Sequence, residues 1–456
     1  MKKTNINTYL VLFILATCLQ SVAQVRSGSA FLKLLPGARA QSMAGSYAAI
    51  IDDPHALFAN PGSVGFMRQW QWSMSYSKWI ADIYNASFLF GRTLQLPRSN
   101  GLRWGVGFVY QGVPEFNNDP PALPAASAND FTASLSLGHP FPLFSHRLAV
   151  GASAKYFKST LAQFTASQFI YDIGVIAKSR CYQITDSFES VLSLGAALCQ
   201  NGRDLKFHEL GTPLPKTMRL GFALYMGNHH QWQWVLSTDY VKVRDESGYL
   251  AIGGEVMYRG LVAVNFGLDF GNDLMNKLTL GAGIRMDHVG LALGQAFPGR
   301  HNSFRIDFAT LDESDFFSRT YRGTVTHYSS RPEPFTPKTP ANGDSLSTPT
   351  IVLSWNPSTD FDVFDKIEYR VFLDHDSVKI AELIHTYQTA ASDALELFET
   401  ELTFNETTIN SQIDFQPPTA SDYFWAVAAV DRDNQLCFGG RKSGHVFHFR
   451  WGVKQD

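Results

Sequence analysis

The sequence predicts an all-β protein: a 14-stranded transmembrane antiparallel β-barrel followed by a small β-sandwich. Three observations carry that expectation. A long central stretch alternates apolar with small or polar residues at a period of two, which is strand patterning. Aromatic residues gather near the ends of the alternating segments. Beyond the leader there is no apolar run of 18 or more residues, so a membrane role requires strands rather than helices. Composition agrees. Of 456 residues, 45% are hydrophobic and only 17% charged, with 35 Gly and 35 Phe, against a charged share of ~25% in ordinary soluble domains. The net charge of -3 supplies no basic footprint for nucleic acid. The length favours two domains.

The elements follow in order. Residues 1-23 open with Lys2 and Lys3, pass through the apolar run YLVLFILA and end in Ser21-Val22-Ala23. That is the layout of a secretory signal peptide, and the apolar run is too short for a spanning helix, which needs ~20 residues. Residues 31-65 are rich in Ala and small residues and lack strict alternation, so they form a short helical or irregular element. Within them Asp52-Asp53 could split acid and base roles or hold a cation. Their setting, Asp-Asp-Pro followed by Asn-Pro-Gly, instead favours turn and helix-cap chemistry, in which Asp and Asn bond nearby amides and Pro fixes φ.

Alternating segments are expected at 69-77, 83-93, 101-112, 129-138, 145-158, 169-179, 189-201, 216-226, 231-243, 248-259, 261-270, 276-286, 288-297 and 301-309. Leu102, Trp104, Val106 and Phe108 fall on one face and Arg103, Gly105 and Gly107 on the other. Phe304, Ile306 and Phe308 likewise oppose Ser303, Arg305 and Asp307. A soluble sandwich would alternate similarly. Strand lengths near the 9 to 11 residues of a tilted spanning strand, aromatics such as Trp70, Tyr156, Trp232 and Tyr258 near strand ends, and the small or polar second face favour a membrane barrel.

Residues 311-345 turn to Ser, Thr and Pro, the composition of a linker. In 346-456, alternation at Ile351-Leu353-Trp355, at Tyr369-Val371-Leu373 and at Tyr423-Trp425-Val427-Ala429 predicts the sandwich, interrupted by a charged, helix-compatible insertion at 380-415. An even strand count places both barrel ends on one side. With short turns periplasmic, the sandwich is expected in the periplasm as a partner-binding module.

Other chemistry is missing from the sequence. Gly105-Val-Gly107 and Gly281-Ala-Gly283 lie inside strands, without the helix a dinucleotide fingerprint needs, and read as close-packing glycines. Cys18, Cys181, Cys199 and Cys437 form no framework or metal motif. His445 and His448 point to opposite strand faces, and His208-Glu209 and His229-His230 lie near turns. Neither enzyme activity nor a cofactor or metal site is expected.

The residues of 31-65 also carry a resemblance. Gly37-Ala38-Arg39, Met43-Ala44-Gly45, Ala49-x-x-Asp52-Asp53-Pro54 and Ala56-x-x-x-Asn60-Pro61-Gly62 resemble the N-terminal signature of the PorV/PorQ family of outer-membrane proteins, themselves similar to FadL fatty-acid transporter barrels. Ala44 stands where the family usually has Gly, and Gly62 follows Pro61 where Ala is usual. Tyr171-Asp172-Ile173-Gly174, Gln200-Asn201-Gly202, Pro213-Leu214-Pro215, Arg219-Leu220-Gly221 and Gly253-Gly254-Glu255 extend the likeness over about residues 30 to 310. The tail, through Trp355 and Tyr423 to Asp431, resembles a fibronectin type III domain.

The resemblance implies a 14-stranded barrel over 24-310 in the cell outer membrane. It implies Gly37, Arg39, Met43, Gly45, Asp52, Asp53, Asn60 and Pro61 as signature residues of a plug-like segment. The function implied first is a component or accessory of type IX-like protein secretion, with secretion-machinery proteins or secreted cargo as partners. A FadL-like channel holding a small hydrophobic ligand in the lumen is the alternative, and a secreted soluble β-rich binding protein is the third reading. Contact with outer-membrane lipid, and none with nucleic acid, is expected.

Overall fold

The computed structural model describes residues 29-452 except 69, 79-81, 95-100, 117-125, 186-187, 208-210, 229-230, 245, 272-277, 288-301, 312-319, 330-331, 333-334, 359-362, 365-366, 390-401, 431-435 and 441-444. Fourteen strands close a barrel: β1 Trp70–Lys78, β2 Tyr84–Leu94, β3 Leu102–Phe116, β4 Ala126–Leu143, β5 His146–Leu161, β6 Phe164–Lys178, β7 Phe188–Gly202, β8 Thr217–Gly227, β9 Trp232–Val243, β10 Tyr249–Tyr258, β11 Val262–Phe270, β12 Leu278–Asp287, β13 Asn302–Leu311 and β14 Thr320–Ser329. Each pairs antiparallel with the next, and β14 returns to β1 with Val325 opposite Met74. Closure gives each of these fourteen strands a neighbour on both sides; a short strand, Tyr182–Thr185, adds to the start of β7 outside the closed wall.

One expectation about this region changes and another goes untested. The strand expected at 288-297 lies outside the described residues. The last strand is β14, inside the stretch read as a linker, so the barrel extends to Ser329. Its sequence TYRGTVTHYS hid it: Thr320, Arg322, Thr324 and Thr326 are all buried, while the opposite face carries only Tyr321 and Val325 as apolar residues before His327. Threonine's branched Cβ forms strands as well as valine's, but it does not register as hydrophobic alternation.

Alternation sorts the wall as the sequence implies. Leu137, Ile173, Leu194, Val264, Leu280 and Phe308 face outward and are exposed, whereas the residues between them turn into the lumen. A band of exposed apolar side chains around a closed barrel is a surface for lipid, far larger than a soluble protein carries. At its margins Trp232 packs on Tyr258 with ring centroids 4.6 Å apart, and Tyr156 packs on Phe169 at 5.5 Å, as interfacial aromatics do.

Both the start of β1 and the end of β14 lie at one end of the barrel, called proximal here. Beyond it the tail folds into two sheets. One joins Pro337–Thr339, Ile351–Trp355 and Gln412–Phe415; the other joins Asp344–Leu346, Phe447–Trp451, Ser421–Val430, Glu368–Asp374 and Phe404–Thr408. Leu353, Trp355, Val371, Tyr423, Trp425 and Phe449 fill the space between them. The helix Ser377–Thr389 covers the outer face of the larger sheet, where Ile380, Leu383 and Tyr387 meet Phe372, Ala426 and Ala428. Helix coverage explains why Ser421–Val430 reads SDYFWAVAAV, apolar on both faces. The helix begins before the expected insertion, and most of the segment ALELFETEL lies outside the described residues. Tyr423 donates through its hydroxyl to the Thr419 carbonyl at 2.7 Å, the corner that pins the start of a core strand in immunoglobulin-like sandwiches.

Candidate functional site

The lumen is occupied by the chain's own residues 30-67. The segment starts at the distal end, where Phe31 and Leu32 pack with Phe157, Ile170, Leu205 and Leu214. It crosses the barrel and leaves at the proximal end through Phe66 and Met67 into β1. A 3-10 turn at Ala30–Lys33, a five-residue helix at Ala38–Ser42 and two further 3-10 turns, Pro54–Phe58 and Pro61–Phe66, form its backbone. The two Asx-Pro steps start those turns by the same device. Asp53 and Asn60 are extended, Pro supplies the first helical φ, and each side chain accepts from the amide two residues on: His55 at 2.8 Å and Gly62 at 2.9 Å. Asn60 further donates to the Ala48 carbonyl at 2.7 Å and to the Val175 carbonyl of β6 at 3.0 Å, so one amide ties two parts of the plug to the wall.

The wall meets this plug with glycine. A Cβ on Gly151 would collide with the Pro61 carbonyl, on Gly174 with Asn60, and on Gly195 with the Ala48 carbonyl. At Gly253 it would stand 2.6 Å from the Met43 carbonyl oxygen, and at Gly281 2.5 Å from Ser42. Glycine here removes side-chain volume so that two backbones can touch. The same thinning is visible from outside: Gly138, Gly151 and Gly174 floor an apolar hollow of about 730 Å³ on the lipid side, walled by Leu137, Val150, Ile173, Leu198 and Leu220.

Charge fixes the plug's orientation. Arg39, 2% exposed, donates to both oxygens of Asp52 at 3.1 and 3.0 Å and to both oxygens of Glu255 on β10 at 2.8 and 2.9 Å. On the far side of Glu255, Arg305 of β13 bonds Glu255 and Asp307. Carboxylates and guanidiniums thus alternate, Asp307–Arg305–Glu255–Arg39–Asp52, from wall to plug. Asp53 accepts from the Tyr47 hydroxyl at 2.9 Å, and Tyr225 of β8 donates through its hydroxyl to Asp52 at 3.3 Å. Asp239 of β9 captures the Tyr47 and Ala48 amides at 2.9 and 2.8 Å. On the opposite wall Lys155 pairs with Asp172, both buried, beneath the ring of Phe58.

All eight signature residues therefore lie in the plug. Arg39, Asp52, Asp53, Asn60 and Pro61 make the contacts above. Gly37 has φ +99° and sits against the His55 ring, where a Cβ would stand 2.8 Å away; Gly45 has φ +68°; Met43 is fully buried. Ala44, where the resembled family has Gly, is held in the left-handed region at φ 52°. Sequence reasoning missed Glu255 as the wall partner of Arg39, and Asp239, Arg305 and Lys155 as the other charged wall residues around the plug. The available signal was an ionisable residue on the small-residue face of an alternating strand. At the distal end the plug leaves a cavity of about 250 Å³ whose lining mixes Leu32, Leu34 and Leu311 with Lys33, Arg219, Glu246 and Tyr249. Among the described residues no cluster of His, Cys, Asp and Glu suited to a metal occurs, and Cys181, Cys199 and Cys437 form no disulfide.

No family model and no curated protein matches the chain. Among solved structures it is similar to the CymD monoaromatic hydrocarbon channel (9% identity, 64% of this chain and 97% of that one, TM-score 0.39). It is likewise similar to a Pseudomonas aeruginosa FadL homologue (10%, 68% and 100%, 0.36) and to the Pseudomonas putida toluene transporter TodX (10%, 67% and 98%, 0.37). Scores of this size assign neither ligand nor activity; the strand register of the chain itself establishes a closed 14-stranded membrane barrel with a plugged lumen and a second β domain.

Proposed function

We propose that this protein is an outer-membrane channel of the plugged-barrel type, taking a small, largely apolar molecule at the distal mouth. The observation that carries this reading is the distal cavity. It is bounded on one side by the plug and on the other by the wall, and its leucines and ionisable groups suit a molecule with an apolar body and a polar end. The eight signature residues then serve to hold the plug, and no cofactor is involved. In this orientation the proximal end and the sandwich face the periplasm and the cavity faces the outside.

A second reading is supported by the tail: an accessory of type IX-like secretion of the PorV/PorQ kind. The tyrosine corner and the two-sheet core suit a fibronectin type III-like module, whose use is to bind protein.

The two are separated in a deletion strain. Lost uptake of a labelled hydrophobic probe with intact surface display of cargo supports the channel. The reverse result supports secretion. A protein that fractionates as soluble and shows no mobility difference between boiled and unboiled gel samples overturns both.

A further inference from the structure

We propose that the sandwich domain is a latch that holds the plug shut through Phe364. This side chain sits in the loop joining Ile351–Trp355 to Glu368–Asp374, and it is 9% exposed. It does not pack in the sandwich core. It belongs instead to the apolar cluster that fills the plug, which runs from Leu35 through Ile51, Val64 and Phe66 and takes in Val191 of the wall; Val363 and Cys181 pack against the same cluster. The base of the loop is fixed, because the Ser358 amide donates to the Tyr369 hydroxyl at 2.8 Å and Tyr369 lies in the sandwich core. The tail thus contributes one aromatic side chain to the apolar cluster of the plug.

Three facts make this contact more than incidental packing. The chain from β14 to the sandwich emerges at the same end. The plug's last turn, Pro61–Phe66, pairs with no strand and lies by close packing against the glycines and backbone of β4, β5 and β6. Burying a phenylalanine is a contact large enough to shift a local opening equilibrium. Displacing the domain withdraws Phe364 and frees the proximal half of the plug, whichever cargo the barrel serves.

The test uses the full mature chain in outer membranes. Phe364→Cys is cross-linked to native Cys181 with a short bis-maleimide, with Cys181→Ser as control. Separately, Ser63→Cys reports plug opening, since the Ser63 hydroxyl is buried without a hydrogen-bond partner and the exchange is nearly isosteric. Labelling by a membrane-impermeant maleimide from the proximal side is read at that peptide by mass spectrometry. Phe364→Ala should speed labelling at least about tenfold, and the cross-link should slow it, with the heat-shifted gel band confirming a folded barrel in each case. Failure of the cross-link, or labelling that neither change alters, overturns the latch.

Discussion

Ala44 shows how one residue can report a compromise. Its left-handed φ of 52° costs a side-chain-bearing residue about 1–2 kcal/mol, and part of that is returned by the smaller backbone entropy of alanine in the unfolded chain. Ala44→Gly should therefore stabilise the protein by roughly 1 kcal/mol, seen as a higher urea midpoint for loss of the unboiled gel form. Glu255 is a stronger test in the other direction. It accepts from two guanidiniums, so Glu255→Ala leaves Arg39 with Asp52 and Arg305 with Asp307 as their remaining carboxylates and cuts the wall-to-plug link, and removing one member of a buried ionic chain costs about 3–5 kcal/mol. In the sandwich, Asp422 accepts from Arg450 at 2.8 Å and faces His448 at 3.1 Å. The Arg450 guanidinium above all, then His448, draws its pKa down to about 2. A depressed carboxylate contributes stability above its unfolded pKa of about 3.9 and loses it as pH falls toward the folded value. The sandwich should accordingly weaken between about pH 4 and pH 2. Asp422→Asn should flatten that limb of the pH–melting curve; an unchanged limb would assign the loss to other carboxylates.

At the scale of elements, the plug and its glycine-lined wall depend on one another. Gly151→Val places two methyl groups where the Pro61 carbonyl lies, so the plug should shift while the barrel, whose wall hydrogen bonds are untouched, still gives a heat-shifted band. Liposome swelling should then detect a leak that the parent lacks, and deleting residues 30-67 should give a larger one. The strands were legible because a barrel wall forces strict alternation between lipid and lumen. The plug was legible as an irregular element and its Asx-Pro turns as turns. Its partners were not, because Glu255, Arg305 and Asp239 are brought to Arg39 and Tyr47 by wall closure over separations near 200 residues. Strand β14 escaped because a lumen already filled by polar backbone asks its wall for threonine rather than for contrast. The tail helix was legible only as a helix-compatible stretch set at 380-415, and its start at Ser377 was not, because the residues that pack it, Ile380, Leu383 and Tyr387, are few within a charged segment.

For the molecule as a whole, the apolar belt and the aromatic margins require a bilayer, and both domains then take sides. The plug's first described residues lie at the distal mouth and the sandwich at the proximal one, so these two parts of the chain lie on opposite sides of the bilayer. In the proposed orientation a protease added to intact cells should spare the sandwich, while permeabilised cells should lose it; loss of the sandwich in intact cells would invert the barrel in the membrane.

The route by which the plug is enclosed sets the pace of assembly. The Ala38 amide donates to the Thr324 hydroxyl at 2.7 Å across 286 residues of chain, and β1 waits for β14 before either has its second neighbour. Loop-closure entropy must be met before such distant pairings give anything back. The N-terminal segment therefore has to lie against a still-open sheet, which the wall then wraps. The final event is a seam between the earliest and latest strands to be synthesised, and a nascent chain halted before Thr320 would be an open trough with the plug exposed along its length.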